Sequence, residues 1–305
     1  MTTASPLPLQ FRIGARTLMT VPRWLVRVPL SLEQALSGRV PQLPSLPPGA
    51  DGYVVTSLPA NQMPALVAAA EGKLVFVRQR YSRYFADLSA GFDAWFAQLS
   101  GNARSQLKRK RKKLAAASGG ALHIERFRTP DELERFHGVA RGISRRTYQE
   151  RLLDAGLPED AEFLHDMARM GAADEVRAWL LHIGDMPAAY LYCPVHGRDV
   201  IYEYVGHDPA CNALSPGAVL QLEAIRDLCA EGRFARFDFT EGEGQHKRQM
   251  ASGGVDCVDL LLLRPSLTNR VALAALGAFD AGVAGAKALV ERLGLQKAVA
   301  RIRRG

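Results

Sequence analysis

The chain has 305 residues, 48% hydrophobic and 23% charged, a globular balance that supports a packed core and excludes a disordered chain. Its first twenty residues are broken by Pro6, Pro8, Arg12 and Arg16 and do not read as a secretory leader. No stretch reaches the ~18 to 20 uncharged apolar residues of a membrane span, so a cytoplasmic protein is expected. The four cysteines (Cys193, Cys211, Cys229, Cys257) show no C-x-x-C or metal-ligand spacing, which predicts free thiols and no metal site.

The net charge of +8 is unevenly spread. Residues 104–113, from Arg104 to Lys113, hold seven basic residues and no acid, and residues 292–305 hold five more, from Arg292 to Arg304, again with no acid. The rest is acidic on balance. Two cationic patches on an acidic body call for an anionic partner: a phosphate-bearing ligand, lipid head groups or RNA.

In chain order, eight prolines within residues 1–50 forbid long helices and predict extended pieces and turns. Residues 25–28, 53–56 and 74–78 read as strands. Phe92, Trp95, Phe96 and Leu99 recur at helical spacing, and a second helix over 103–117 carries the basic run on a narrow apolar face of Ala103, Leu107 and Leu114. Residues 121–127 alternate as a strand, and Thr129-Pro130 starts a helix. A further helix covers 161–170. Three strands follow at 176–183, 188–193 and 200–205, then a helix over 216–230, a strand over 234–239, a short helix over 245–251 and an apolar strand over 255–263. Residues 266–304 read as one or two helices rich in small residues.

Three features of this pattern bear on chemistry. Ser215-Pro216-Gly217-Ala218-Val219 begins a helix, with Ser215 as its expected cap and Gly217 and Ala218 small enough to let a ligand reach unpaired N–H groups. A diphosphate suits that place, although a plain helix start reads the same way. On the strand over 200–205, alternation puts Ile201, Glu203 and Val205 on one face, where desolvation raises a carboxyl pKa. Glu203 then suits proton abstraction from an amine, or it simply partners an arginine. Asp238, Glu241, Glu243, His246 and Lys247 crowd a glycine-spaced loop at the end of a strand, as base candidates, substrate contacts or a solvated turn.

Three stretches, RSQLKRKRKKL (104–114), LSPGAVLQLEAI (214–225) and FDFTEGEGQHKRQMA (237–251), together with the element order, resemble the GNAT acyltransferases. The likeness is to the branch of the CelD-like proteins and the Fem-type aminoacyltransferases. The family's Q/R-x-x-G-x-G/A loop is incomplete here. The resemblance implies an α+β GNAT fold, a mixed sheet flanked by helices. It places this domain over residues 101–265, after a β-rich region (1–100) that is a candidate degenerate second copy, and before a basic helical tail (266–305). It further implies an N-acyltransferase. Acyl-CoA would be the donor, held at Ser215, Gly217, Ala218 and Val219. Glu203, Glu241 or His246 would be the base, with Lys247 as the Fem-type catalytic lysine. Arg145, Arg146, Tyr148, Tyr204, Asp238 and Glu243 would lie on the acceptor side. The acceptor is expected to be an envelope or lipid amine, such as a sphingoid base, met at the inner membrane surface through both basic patches. Two alternatives stay open: Fem-like transfer from aminoacyl-tRNA, and a non-catalytic envelope or membrane adaptor.

Overall fold

The computed structural model of the protein describes residues 5–13, 16–147, 156–242 and 244–292. Short strands β1 (Ser5–Pro6), β2 (Leu9–Ile13), β3 (Arg16–Val21) and β4 (Trp24–Pro29) occupy the proline-rich start. The helices there are short as well: α1 (Leu32–Leu36), closed by a Ser31/Gln34 capping box, and, after strand β5 (Gly52–Pro59), α2 (Met63–Ala69). Then come β6 (Leu74–Asp87), α3 (Gly91–Gln98) and the basic helix α4 (Gly101–Ala117), whose first turn is capped by Ser100.

Next are β7 (His123–Phe127), α5 (Pro130–Ser144), α6 (Ala161–Ala172), β8 (Val176–Ile183), β9 (Met186–His196), β10 (Asp199–Ile201) and β11 (Tyr204–His207). Pro130 opens α5, where the Glu132 carboxylate accepts from the Thr129 and Arg128 N–H groups, bonds that lower its pKa. The chain continues through α7 (Pro216–Glu231), β12 (Arg236–Asp238), α8 (Gln245–Met250), β13 (Gly253–Leu263) and α9 (Leu267–Arg292). No helix among the described residues is long and apolar enough to cross a membrane.

Contacts divide the chain into two units, Met1–Arg80 with Val258–Gly305, and Tyr81–Cys257. In the first, β4 and β5 pair in parallel and β1 joins β4 antiparallel. One face of this sheet buries Val26, Val55, Leu66 and Leu260; the other buries Leu25, Leu261 and Leu263 beneath the β2–β3 hairpin and α9, where Phe11 meets Phe279 edge-on at 5.4 Å. A helix over 266–292 thus groups by contact with the first eighty residues, which a reading along the chain does not disclose.

In the second unit β7, β8 and β9 form an antiparallel meander, and the chain crosses over through α7 so that β10 and β12 lie parallel. Val219, Leu220, Ala224, Ile225 and Leu228 of α7 are fully buried with Trp95 of α3 and Leu107 and Leu114 of α4. On the opposite face α5 and α6 cover β8 and β9 with Leu133, Phe136, Ile143 and Met167. The basic residues of α4 stay outside, as its narrow apolar stripe predicts.

The expected continuous strand over 200–205 is broken. Val200 pairs with Val195 and Tyr204 with Tyr192, so the three residues 201–203 lie opposite only Cys193 and Pro194. The Val195 N–H bonds Glu175 O on the β8 side, so backbone alternation aims position 194 at the other side, where proline has no N–H to offer. Tyr202 instead donates to Asp238 O of β12 at 2.9 Å, while β11 pairs only with β9. The sheet therefore splits after Ile201.

A buried ion pair fixes β6 against β12: Arg83 grips both Asp238 oxygens at 3.2 and 2.5 Å, and the carboxylate also accepts from the Thr240 N–H. Burial lowers the Arg83 pKa, but the Asp238 hydrogen bond and charge outweigh it and raise it overall. Removing one partner strands a buried charge. Arg83→Met is expected to cost about 3–5 kcal/mol of unfolding free energy, read by urea denaturation. At Gly206 on β11 an added Cβ would stand 2.4 Å from Tyr190 Cε1. Gly206→Ala should therefore destabilise by about 1–3 kcal/mol through overpacking, seen as a lower urea midpoint with unchanged slope.

Candidate active site

Where the sheet splits, a cleft of about 390 Å³ opens between α4, β11, α7 and α8. Lys110 and Gln106 come from α4, Val205 and His207 from β11, Gly217 and Gln221 from α7, and His246 and Lys247 from α8; Tyr202 and Ala218 also line it. The Asp208 N–H bonds Ala188 O, so backbone alternation turns the main chain of Val205 and His207 away from β9, toward the open edge.

Helix α7 points its first turn into this cleft. Ser215 stands at the cap position in left-handed geometry, φ 53°, ψ 50°, and its side chain caps nothing. That corrects the expected role of Ser215 and leaves the first N–H groups without a side-chain partner among the described residues. Pro216 has none to offer, and the Val219 N–H returns to Ser215 O at 3.3 Å. Gly217 and Ala218 therefore present the amides, backed by the positive end of the helix. Val219 is fully buried and contributes packing, not ligand contact. A Cβ at Gly217 would lie 3.6 Å from His207 Nδ1, whose ring is held by a 2.6 Å contact between Nε2 and Asn212 Oδ1.

Lys247 faces the cleft and donates to Glu241 O at 2.5 Å. Its pKa is lowered by burial, against the pull of Asp238 and Glu241. His246 is likewise lowered by burial and by the neighbouring Lys247, and its ring lies 6.1 Å from that of Tyr202. Both shifts favour the uncharged forms of these groups, and that of Lys247 runs toward the pH range in which proton transfer is efficient.

Glu203 occupies the break between Tyr202 and Tyr204. It is exposed and does not line the cleft itself, and lost hydration raises its carboxyl above the ordinary 4.5. Its charge, after burial, contributes to the raised pKa values of Tyr192 and Tyr204. Those two rings pack with Phe163 at 5.6 Å each, an aromatic wall under α5 and α6.

The remaining expectations fall elsewhere. Asp238 is fully buried in its ion pair with Arg83 and has no exposed surface, a correction to its assignment on the acceptor side. Arg145 pairs with Glu159 at 2.7 Å and Arg146 with Asp208 at 2.9 Å, and neither lines the cleft. The Glu241 side chain is exposed, and its carbonyl positions Lys247. Tyr148 and Glu243 lie outside the described residues. Lys110, His207 and Gln221 went unnoticed in the sequence. Gln221, one helical turn past Gly217, was legible by i, i+4 spacing; its amide nitrogen is buried without a hydrogen-bond partner among the described residues.

Residues 101–248 match the family model for the acetyltransferase (GNAT) domain. Among solved structures, the C-terminal domain assigned to a lysylphosphatidylglycerol synthetase from Agrobacterium fabrum aligns over 77% of this chain and 73% of that one, at 14% identity and a TM-score of 0.52. L-PGS from Bacillus licheniformis aligns over 73% and 71% at 12% identity, TM-score 0.47. FemX aligns over 71% and 73% at 11% identity, TM-score 0.48. No curated protein sequence matches. The chain has the GNAT fold, and its residues 101–248 match a GNAT acetyltransferase domain.

Proposed function

We propose that the protein transfers an acyl group from acyl-CoA to the amine of a lipid or envelope precursor. The observation that carries this reading is a single cleft lined by the free amides of Gly217 and Ala218, the cations Lys110 and Lys247, and the open edge of β11. The diphosphate of the donor sits at the α7 N-terminus. Its pantetheine arm extends along the β11 edge, where the main chain is free to bond it.

Glu203 takes a proton from the acceptor ammonium, and the amine nitrogen then attacks the thioester carbonyl. Lys247 and the β11 backbone stabilise the oxyanion, and the C–S bond breaks as the tetrahedral intermediate collapses. Tyr202, whose hydroxyl is kept protonated by burial, gives its proton to the leaving thiolate and recovers one from the nitrogen, which sheds its extra proton as the amide forms. An apolar acceptor such as a sphingoid base suits the half-buried rings of Phe163 and Tyr204. Exposed Lys108, Arg109 and Lys112 on α4, with the basic residues of 292–304, suit an anionic membrane surface on the cytoplasmic side. These same α4 cations favour a second reading, an aminoacyl-tRNA donor. Acyl-CoA and charged tRNA are distinguished by which of them raises the melting temperature.

With Glu203 as base, activity requires its ionised form. The rate should fall as pH drops through its raised pKa, and Glu203→Gln should flatten that acid limb while lowering kcat by about 10²- to 10⁴-fold. Lys247→Met is expected to lower kcat about 10²- to 10³-fold with an unchanged circular dichroism spectrum. Product formation is measured by mass spectrometry with an acyl-CoA series and long-chain amines. Gly217→Val should fill the cleft beside His207 and raise the Kd for coenzyme A about tenfold, read by calorimetry. Unaltered affinity would place the donor elsewhere.

A further inference from the structure

The first unit holds a second cavity, of about 310 Å³, at the small end of the range for ligand sites. It opens where the β2 strand and α9 stop covering the sheet face built from β4, β5, β6 and β13. Its floor is apolar: Leu25 and Leu261 are almost fully buried. Half-buried Leu7 and exposed Pro8 and Pro29 form its walls. Its polar side is cationic. On parallel β4 and β5, Arg27 lies beside Val54 and Pro29 beside Thr56, and all four line the cavity.

Arg78 completes that side from β6. Its Nη2 donates to Gln10 O at 3.2 Å, which fixes the guanidinium. Asp280, 3.6 Å from Nη1 and too far for a hydrogen bond, and Asp259 offset part of the charge, while Arg12 opposes them. Burial lowers the Arg78 pKa, as it does for any cation short of compensating partners. Arg27 is exposed and has no hydrogen bond or ion pair among the described residues. Two guanidiniums over an apolar floor, one fixed and one free, make a place where an anion and a hydrocarbon chain are recognised together.

We propose that this cavity binds a single-chain amphiphile with a phosphate or carboxylate head, the head between Arg27 and Arg78 and the chain along Leu7, Leu25 and Leu261. The site is built from the first unit alone and does not rest on the acyl-transfer reading.

The test is calorimetric titration of the full chain at pH 7 with dodecyl phosphate below its micelle concentration, with inorganic phosphate and dodecyl maltoside as separate arms. Saturable binding of dodecyl phosphate is expected. Arg27→Gln, an exposed substitution that leaves the fold intact, should weaken it about tenfold, as the loss of one charge-assisted hydrogen bond implies. Arg78→Gln should do the same and Arg78→Lys less. Three outcomes overturn the proposal. Inorganic phosphate binding as tightly removes the apolar half, dodecyl maltoside binding as tightly removes the anionic half, and absent binding removes both. Binding that survives Arg27→Gln and falls in Lys247→Met belongs to the acyl-transfer cleft and overturns it as well.

Discussion

The second unit depends on a missing backbone donor. A β-ladder continues as long as each strand offers N–H and C=O groups in register, and Pro194 ends that supply on the side facing β10 and β11. Three residues then bulge against two, β10 goes to β12, and β11 stays with β9. An unbroken ladder would bury the edges of β11 and seal the space between α4 and α7. The split keeps that edge open, and a bulge is a common means of re-aiming a side chain at a functional site. Here it places Tyr202 in the cleft wall and Glu203 among the tyrosines.

The split has to be held open, and two devices do this. Arg83 and Asp238 bind β6 to β12 through a buried, bidentate pair, so the far side of the gap is rigid. On the near side, Gly206 lets Tyr190 pack flush against β11. A buried ion pair is weak evidence for net stability, because desolvating two charges offsets most of their attraction. Its value here is geometric, since the same carboxylate also anchors the turn at Thr240 that leads to Lys247.

The electrostatics of the cleft follow from that geometry. Helix α7 arrives with a first turn that no side chain among the described residues caps, because Ser215 is left-handed and Pro216 follows it, so the positive end of the helix stays available. Lys110 and Lys247 add to the same field, and burial draws Lys247 toward neutrality while raising Glu203. Desolvation disfavours the charged form of both groups and so draws their pKa values toward each other.

The sequence by itself determined the element order from residue 121 to 263, the helix start at Pro130, the narrow stripe of α4 and the amide-exposing loop at Gly217, because each is set by local spacing and by the fixed conformational habits of proline, glycine and serine. It also singled out Glu203 and Lys247, whose residue types stand out against their strands and loops. Only the tertiary structure decided that the strand over 200–205 breaks, since the cause lies on β9, a neighbour in space. It likewise decided that Asp238 is consumed by Arg83, 155 positions away, and that Lys110, His207 and Gln221 face one cleft. Pairing between distant segments leaves no periodic trace in either of them, and so it becomes visible only when both are folded together.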